Sequence, residues 1–434
     1  MKNVLIITFY FPPHPGIGAV RPFGLAKYLS LYGWNPIILT HVLPGEPDPK
    51  FLVIQTPYKD VIERWKTRFG LNPKKPLNTQ LQIKRKKDKP SVIDRLAFIP
   101  NEIITYPDEK FGWYDYAVSE GEHILQTYQV DAILSSSRPE TCHLVAKDLA
   151  RKYHIPWVAD FRDLWSQNHY SSYSRLKKYF IKNLEIRTLK HASAITTVSQ
   201  PLAEKLAELH QSKPVFTVKN GFDPEMMSNE TETDQYFTIV YTGDLYEGKR
   251  DPAQLFAVIQ ELCDSDLVKR DEIRIHFFGY PRFEAENWLQ EEITKYHLGD
   301  IVILHGSVSH ETAISEQRKA QMLLLLMWNN PDDRGVYTGK LFEYLAACRP
   351  VISFGFPEGG VIKELLDQTH AGIHAGNYEE LKAAIIQSYQ EFRTSGRVEY
   401  RGIHEEVMLY SQQEMAKNFA GLLDSMLQRK DSEK

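Results

Sequence analysis

The sequence predicts an α/β protein in which a doubly wound parallel sheet is built twice. Three observations carry this. Short apolar runs without polar alternation recur along the chain, as expected of strands covered on both faces. Segments of helical periodicity lie between them, the pattern of a parallel sheet flanked by helices. After "KNGFDPE" the chain turns polar through "MMSNETETDQ", and the alternation restarts at "FTIVYTG".

In order, "VLIITFY" (Val4–Tyr10) reads as a buried strand, and Arg21–Tyr32 as a helix ending at Gly33. "NPIILT", "VDAILSS", "PWVAD", "SAITTVS" and "VFTVKN" supply the further strands of a first domain over residues 1–222. A linker is expected at 223–235. "FTIVYTG", "RIHFFG", "IVILHG", "MLLLLM" and "PVISFG" then supply a second domain over 236–405. The last segment, 406–434, reads as a helix with apolar Met415, Phe419, Leu422 and Leu423. From about His41 to Pro107 no strong period shows. That region carries a lysine-rich run, 74–89, which is either a solvated loop or a contact for anionic headgroups or a phosphorylated acceptor.

The chain has 434 residues and a net charge of −4, so no global field favours nucleic acid. Cys142, Cys263 and Cys348 are too dispersed for a disulfide framework or a zinc site, and read as reduced thiols of a cytosolic protein. The N-terminal apolar run is short and ends in prolines, unlike a signal peptide. "MLLLLMW" is too short to span a bilayer. The chain is therefore expected to be soluble, or at most membrane-associated.

The chemistry gathers where strands end. "YTGKLFEYLAACRP" opens a helix with Thr338, Gly339 and Lys340, and places Glu343 one turn deeper on the face of Gly339. Free amides and the positive dipole end favour an anion there, and Glu343 could accept from hydroxyls set a few ångströms away. A diphosphate at the amides with a ribose over Glu343 meets both conditions; an ordinary helix start with an exposed glutamate is the alternative. "YFPPHPGIGAVRP" offers Gly16, Gly18 and Arg21 after the first strand, with His14 as a phosphate contact or a plain turn residue. "YTGDLYEGKRDP" offers Gly243, Lys249 and Arg250 at the equivalent place in the second half. "WSQNHYSSYSR" (Trp165–Arg175) reads as an acceptor lid or a packed loop.

Together "YFPPHPGIGAVRPFGLAKYLSLYGW", "IPWVADFRDLW", "ITTVSQPLAEKL", "VKNGFD", "YTGDLYEGKRDP" and "TGKLFEYLAACRPVI" make the sequence resemble the GT-B fold glycosyltransferases, in the family 4-like group of retaining enzymes. The resemblance implies two Rossmann-like domains facing a central cleft. It places the acceptor on the first domain and a UDP- or GDP-linked sugar on the second, and it takes the final helix back to the first. Glu343 matches the second glutamate of the family's paired-glutamate motif, and Lys249 the basic residue on the diphosphate. Gly16 and Gly18 match the N-terminal glycine loop. Asp160, Arg162 and Asp163 of "DFRD" fall where the family places polar residues near the reacting sugar. The family needs no metal or other cofactor and no dedicated base.

Two positions depart from the pattern. Gly335 stands where the first glutamate is expected, and Asp244 where an arginine often stands. The implied activity is sugar transfer to a glycan or lipid-linked acceptor in surface-polysaccharide assembly. A sugar-nucleotide epimerase and a non-catalytic assembly partner of the same fold remain alternatives.

Overall fold

The computed structural model describes residues 1–61, 63, 67, 102, 105–171, 173–227, 232–246, 248–279 and 283–432. They form two compact units, Met1–Lys219 with Met415–Lys434, and Asn220–Glu414. The lysine-rich run 74–89 lies outside the described residues.

The first unit runs β1 (Lys2–Ile7), α1 (Ile17–Tyr28), β2 (Trp34–His41), β3 (Leu52–Thr56), α2 (Tyr114–Thr127), β4 (Ala132–Ser137), α3 (Thr141–Tyr153) and β5 (Trp157–Phe161). It continues with α4 (Arg175–Leu189), β6 (Ala194–Thr197), α5 (Gln200–Leu209) and β7 (Val215–Thr217). The strands lie in the order β3-β2-β1-β4-β5-β6-β7, all pairs parallel. Successive residues point to opposite faces. Leu5, Ile7, Ile133 and Ala159 enter one core with α2 and α3. Val4, Ile6, Leu134 and Val158 enter another with α1 and the last helix, α13 (Gln412–Ser432), through Met415, Phe419 and Leu423. Coverage on both faces is why these strands show no polar alternation.

Helix α1 starts four residues before the expected Arg21, because Gly16 takes the cap position. After Tyr28 it tightens into a 3₁₀ turn, Leu29–Tyr32, and Gly33 closes it at φ 83°, a left-handed conformation suited to glycine.

The second unit runs β8 (Phe237–Thr242), α6 (Ala253–Asp264), β9 (Ile273–Phe278), α7 (Phe283–Lys295), β10 (Val302–Gly306), α8 (His310–Lys319) and β11 (Met322–Leu326). Then come α9 (Gly339–Ala347), β12 (Val351–Phe354), α10 (Gly360–Thr369), β13 (Gly372–His374), α11 (Tyr378–Ser395) and α12 (His404–Met408). Its strand order is β10-β9-β8-β11-β12-β13, again parallel. Residues 223–235, expected as a linker, are counted with this unit: Pro224–Met226 form a 3₁₀ turn and the Asp234 amide donates to Lys319 O at 2.9 Å. Strands β3 and β13 lie outside the expected set. Both are edge strands, one only partly buried and the other three residues long, so neither leaves a continuous apolar run.

Candidate functional site

Each sheet reverses its strand order once, between β1 and β4 in the first unit and between β8 and β11 in the second. Ligands of doubly wound folds bind at the carboxyl ends of strands beside that reversal.

In the first unit the loop after β1 leads through Phe9 to Gly16. The Phe9 ring stacks on His41 with centroids 3.9 Å apart, and His41 Nδ1 donates to the Phe9 carbonyl at 2.6 Å. A carbonyl only accepts, so the His41 proton sits on Nδ1 and Nε2 is left as an acceptor. Burial, then nearby His14 and Lys110, hold His41 below its ordinary pKa. Tyr10, His14, Gly16, Gly18, His41, Tyr58 and Lys110 line a cavity of about 350 Å³. Lys110 Nζ lies 5.1 Å from the Tyr58 ring and 5.5 Å from that of Phe9. His14 Nδ1 is buried without a hydrogen-bond partner. Gly18 is required by its surroundings: a Cβ there would stand 2.9 Å from Tyr10 Cδ2.

The "DFRD" residues divide. Asp160 is fully buried near the carboxyl end of β5 and receives Arg21 Nε at 2.9 Å, Arg21 Nη2 at 2.8 Å, Ser136 Oγ at 3.0 Å and Thr196 Oγ1 at 2.9 Å. Burial pushes its carboxyl up, but Arg21 and the hydroxyl donors outweigh this and hold it below the usual range. Arg21 also donates to Val218 O at 2.9 Å and Lys219 O at 3.2 Å, and lies over the Phe419 ring. The expectation that Asp160 acts at the sugar and Arg21 on a diphosphate is corrected here. Both are enclosed, and their hydrogen-bonding positions are taken inside the fold. The pair ties α1, β5, the end of β7 and α13 together.

Arg162 is a positioning residue for the glycine loop. It donates to the carbonyls of Ser137, Gly18 (2.7 Å) and Arg138 (2.7 Å). The Gly18 carbonyl is free to accept because Pro22, inside α1, has no N–H to bond back to it. Each of its three nitrogens thus gives one N–H to backbone. Asp163 is partly exposed and lies within electrostatic reach of Arg162 and Arg138.

Sequence reading missed a buried carboxyl group beside it. Glu140 follows β4, and burial raises its pKa to about 7, opposed by Arg138 and reinforced by Asp108. Asp108 itself accepts from Thr141 N at 2.6 Å and Thr141 Oγ1 at 2.7 Å at the start of α3. A carboxyl whose folded pKa is raised adds stability below its unfolded value of about 4.3 and loses it as pH climbs through 7. Glu140→Gln is therefore expected to match the parent near pH 5 and exceed it near pH 8 by about 1–3 kcal/mol. Urea unfolding at the two pH values checks this, and equal gains at both would refute it. The Trp165–Arg175 stretch begins as packed structure: Trp165 and Asn168 are buried, which favours a packed loop over a free lid.

In the second unit Gly243 ends β8 at φ 102°, and its amide is spent on Phe278 O at 2.8 Å. A Cβ there would stand 3.0 Å from Lys340 Nζ. Lys340, in the first turn of α9, lies with its ammonium 3.8 Å from the Tyr241 ring centroid, buried and without a hydrogen-bond partner. Burial and then Arg250 drive its pKa well below the ordinary lysine value, against Glu343 and Asp244. Thr338 holds the cap position, but its hydroxyl makes no cap bond and is likewise buried without a partner. Lys249 Nζ lies 4.3 Å from the Trp328 ring centroid, linking the loops after β8 and β11. Arg250 lies over Tyr246 and reaches the Asp244 carbonyl.

Glu343 is held from α8, by His310 Nε2 on Oε1 at 3.1 Å and Gln317 Nε2 on Oε2 at 3.2 Å. Gln317 also donates to Thr242 Oγ1 at 3.0 Å, and the Glu343 hydrogen bond raises the pKa of His310. Neither α8 residue has a motif to reveal it. Among the described residues no group of histidine, cysteine or acidic side chains is arranged to hold a metal ion, and no helix is long and apolar enough to cross a membrane.

A parallel α/β sheet built twice, each with polar groups converging at its strand-order reversal, is the architecture of two-domain sugar transferases. Residues 87–226 match the Glycosyltransferase Family 4 model, and 236–391 match the Glycosyl transferases group 1 model. Solved structures agree across nearly the whole chain. A sucrose-phosphate synthase from Thermosynechococcus elongatus matches with TM-score 0.64 at 13% identity, over 99% of this chain and 100% of that one. A glycosyltransferase from Rickettsia africae gives 0.60 at 14%, over 98% of each. An α,α-trehalose-phosphate synthase (UDP-forming) from Burkholderia xenovorans, solved with glucose-6-phosphate, gives 0.60 at 10%, over 98% and 100%. No curated protein matches by sequence. The chain belongs to the GT-B glycosyltransferases, in the family 4-like group, and is a transferase.

Proposed function

We propose that the protein moves a sugar from a UDP- or GDP-linked donor to a glycan or lipid-linked acceptor, with retention, in surface-polysaccharide assembly. The observation that carries the donor half is the Lys340 amino group, buried without a hydrogen-bond partner between Tyr241 and the Gly243 turn at the head of α9. Burial disfavours its charged form, and a diphosphate would supply the counterion that restores it. Lys249, Arg250, Thr338 and the amides near Gly339 add donors where charge builds on the leaving diphosphate. Glu343, held by His310 and Gln317, accepts from ribose hydroxyls. The trehalose-phosphate synthase named above forms UDP, which fits a uridine donor.

The acceptor half rests on the first unit. The cavity beside Gly16 and Gly18 is walled by aromatic side chains and offers Lys110, His14 and the first-turn amides of α1. Asp163 orients the acceptor hydroxyl, and the departing phosphate takes its proton. The work is done on the cytoplasmic side, at the inner face of the membrane.

Thermal shift with UDP and GDP tests the donor half. A ligand at about a hundred times its Kd adds about 2.7 kcal/mol to the native state. One nucleotide is expected to raise Tm in the parent and not in Glu343→Ala; no shift with either would refute the reading. Incubation with UDP-sugar alone excludes epimerisation if the sugar is recovered unchanged.

A further inference from the structure

The cavity beside the glycine loop of the first unit brings together groups of different chemistry. Its aromatic wall is set by Phe9, whose ring meets those of Tyr10 and Tyr58 edge to face at 5.1 and 5.3 Å. His41 lines the cavity with Nε2 left as an acceptor, since Nδ1 is spent on the Phe9 carbonyl. His14 lines it 4.7 Å from the Tyr10 ring, with Nδ1 buried and unbonded. Lys110 supplies the cation, and the turn that carries it is fixed. Asp108 Oδ1 accepts from the Lys110 amide at 2.7 Å, and the Tyr58 hydroxyl donates to the Glu109 carbonyl at 3.1 Å. The second Asp108 oxygen is taken by Thr141, and Glu109 is exposed. Among the described residues no carboxylate pairs with Lys110 Nζ, which rests on the Tyr58 and Phe9 rings. Helix α1 begins on the same cavity and has no acidic residue in its first turn.

We propose that the acceptor sugar seated here carries an anionic group, a carboxylate or a phosphate, and that Lys110 selects it. The inference rests on the acceptor half of the reading above and adds a charge to that acceptor. A sugar ring is apolar on its C–H faces and polar at its rim, which suits aromatic walls with a few placed polar groups. His41 Nε2 accepts from a ring hydroxyl. The anion meets Lys110 and the first-turn amides of α1, where the helix end favours negative charge. Resting on two aromatic faces stabilises the ammonium modestly, whereas a charge-assisted bond is roughly twice as strong as a neutral one. A neutral sugar would leave the ammonium and the amides to water. A bare inorganic anion would leave the ring walls and His41 unused. The volume of about 350 Å³ lies near the lower bound for a ligand pocket, room for one sugar ring and its substituent.

Titration calorimetry of the full chain without nucleotide tests it, with methyl glucuronide, glucose 1-phosphate, methyl glucoside and inorganic phosphate as probes. At least one of the two anionic sugars is expected to bind about tenfold or more tighter than methyl glucoside and than inorganic phosphate. Which of them binds tells a carboxylate from a phosphate. Lys110→Met should abolish the preference and Lys110→Arg should keep it. The comparison of probes is made in the parent, so it decides the proposal even if Lys110→Met misfolds. Nucleotide thermal shifts should stay at parent values in both variants. The proposal is overturned if methyl glucoside binds as tightly as the anionic sugars, an outcome that keeps the acceptor half and removes its charge. Binding of none of the sugars overturns both. A preference that survives Lys110→Met, or a nucleotide shift lost in that variant, also overturns it, the latter because the cation then serves the donor.

Discussion

Asp160→Ala is expected to destabilise the first unit by about 3–5 kcal/mol, because it leaves the Arg21 guanidinium buried without its counter-charge. The size follows from enclosure: Asp160 is fully buried and Arg21 is 3% exposed. Truncating one partner of such a pair costs far more than the pair itself contributes. Urea unfolding, followed by the tryptophans at 34, 113, 157 and 165, would show an early transition in this unit. Replacing both partners by apolar residues of similar volume, Arg21→Met with Asp160→Leu, should recover much of the loss. A catalytic Asp160 would behave otherwise. If Asp160→Asn keeps full stability and activity disappears, the carboxylate acts at the substrate and the anchoring account fails.

Lys340→Met should cost about a hundredfold or more in turnover, the scale of losing one preorganised donor to a developing negative charge. The fold should survive, since Met keeps the apolar stem over Tyr241 and removes a buried amino group that has no hydrogen-bond partner. The pH dependence has a defined sign. The Lys340 pKa is depressed in the folded chain, so the unfolded chain binds the extra proton, and stability rises with pH up to the ordinary lysine value. A bound diphosphate reverses the balance by favouring the charged form. Nucleotide binding should therefore take up a proton, measurable by titration calorimetry in buffers of different ionisation enthalpy. The uptake should vanish in Lys340→Met. Unaltered nucleotide affinity in that variant would remove the anion site from the head of α9.

The central strands were legible because each is buried on both faces, and a run such as "MLLLLM" admits few other readings. Edge strands β3 and β13 were not, since partial exposure breaks the run. Motif reading located the heads of α1 and α9 and the loop after β8. It could not assign work among the residues it found. Arg21 and Asp160 are 139 residues apart, and nothing local marks them as one another's partner. The cavity lining shows the same limit: His41, Tyr58 and Lys110 leave three different stretches of chain and meet only in the fold.

The placement of α13 has a consequence for synthesis. The side chains of Met415, Phe419 and Leu423 close a core begun by Val4, Ile6 and Leu25, and the whole of the second unit is translated in between. A nascent chain that has emerged as far as Lys219 thus presents an open apolar trough, which stays open until the second unit and α13 have followed it. Shortening α13 should accordingly injure the unit made first, and cells would be expected to guard that unit with a chaperone until α13 emerges.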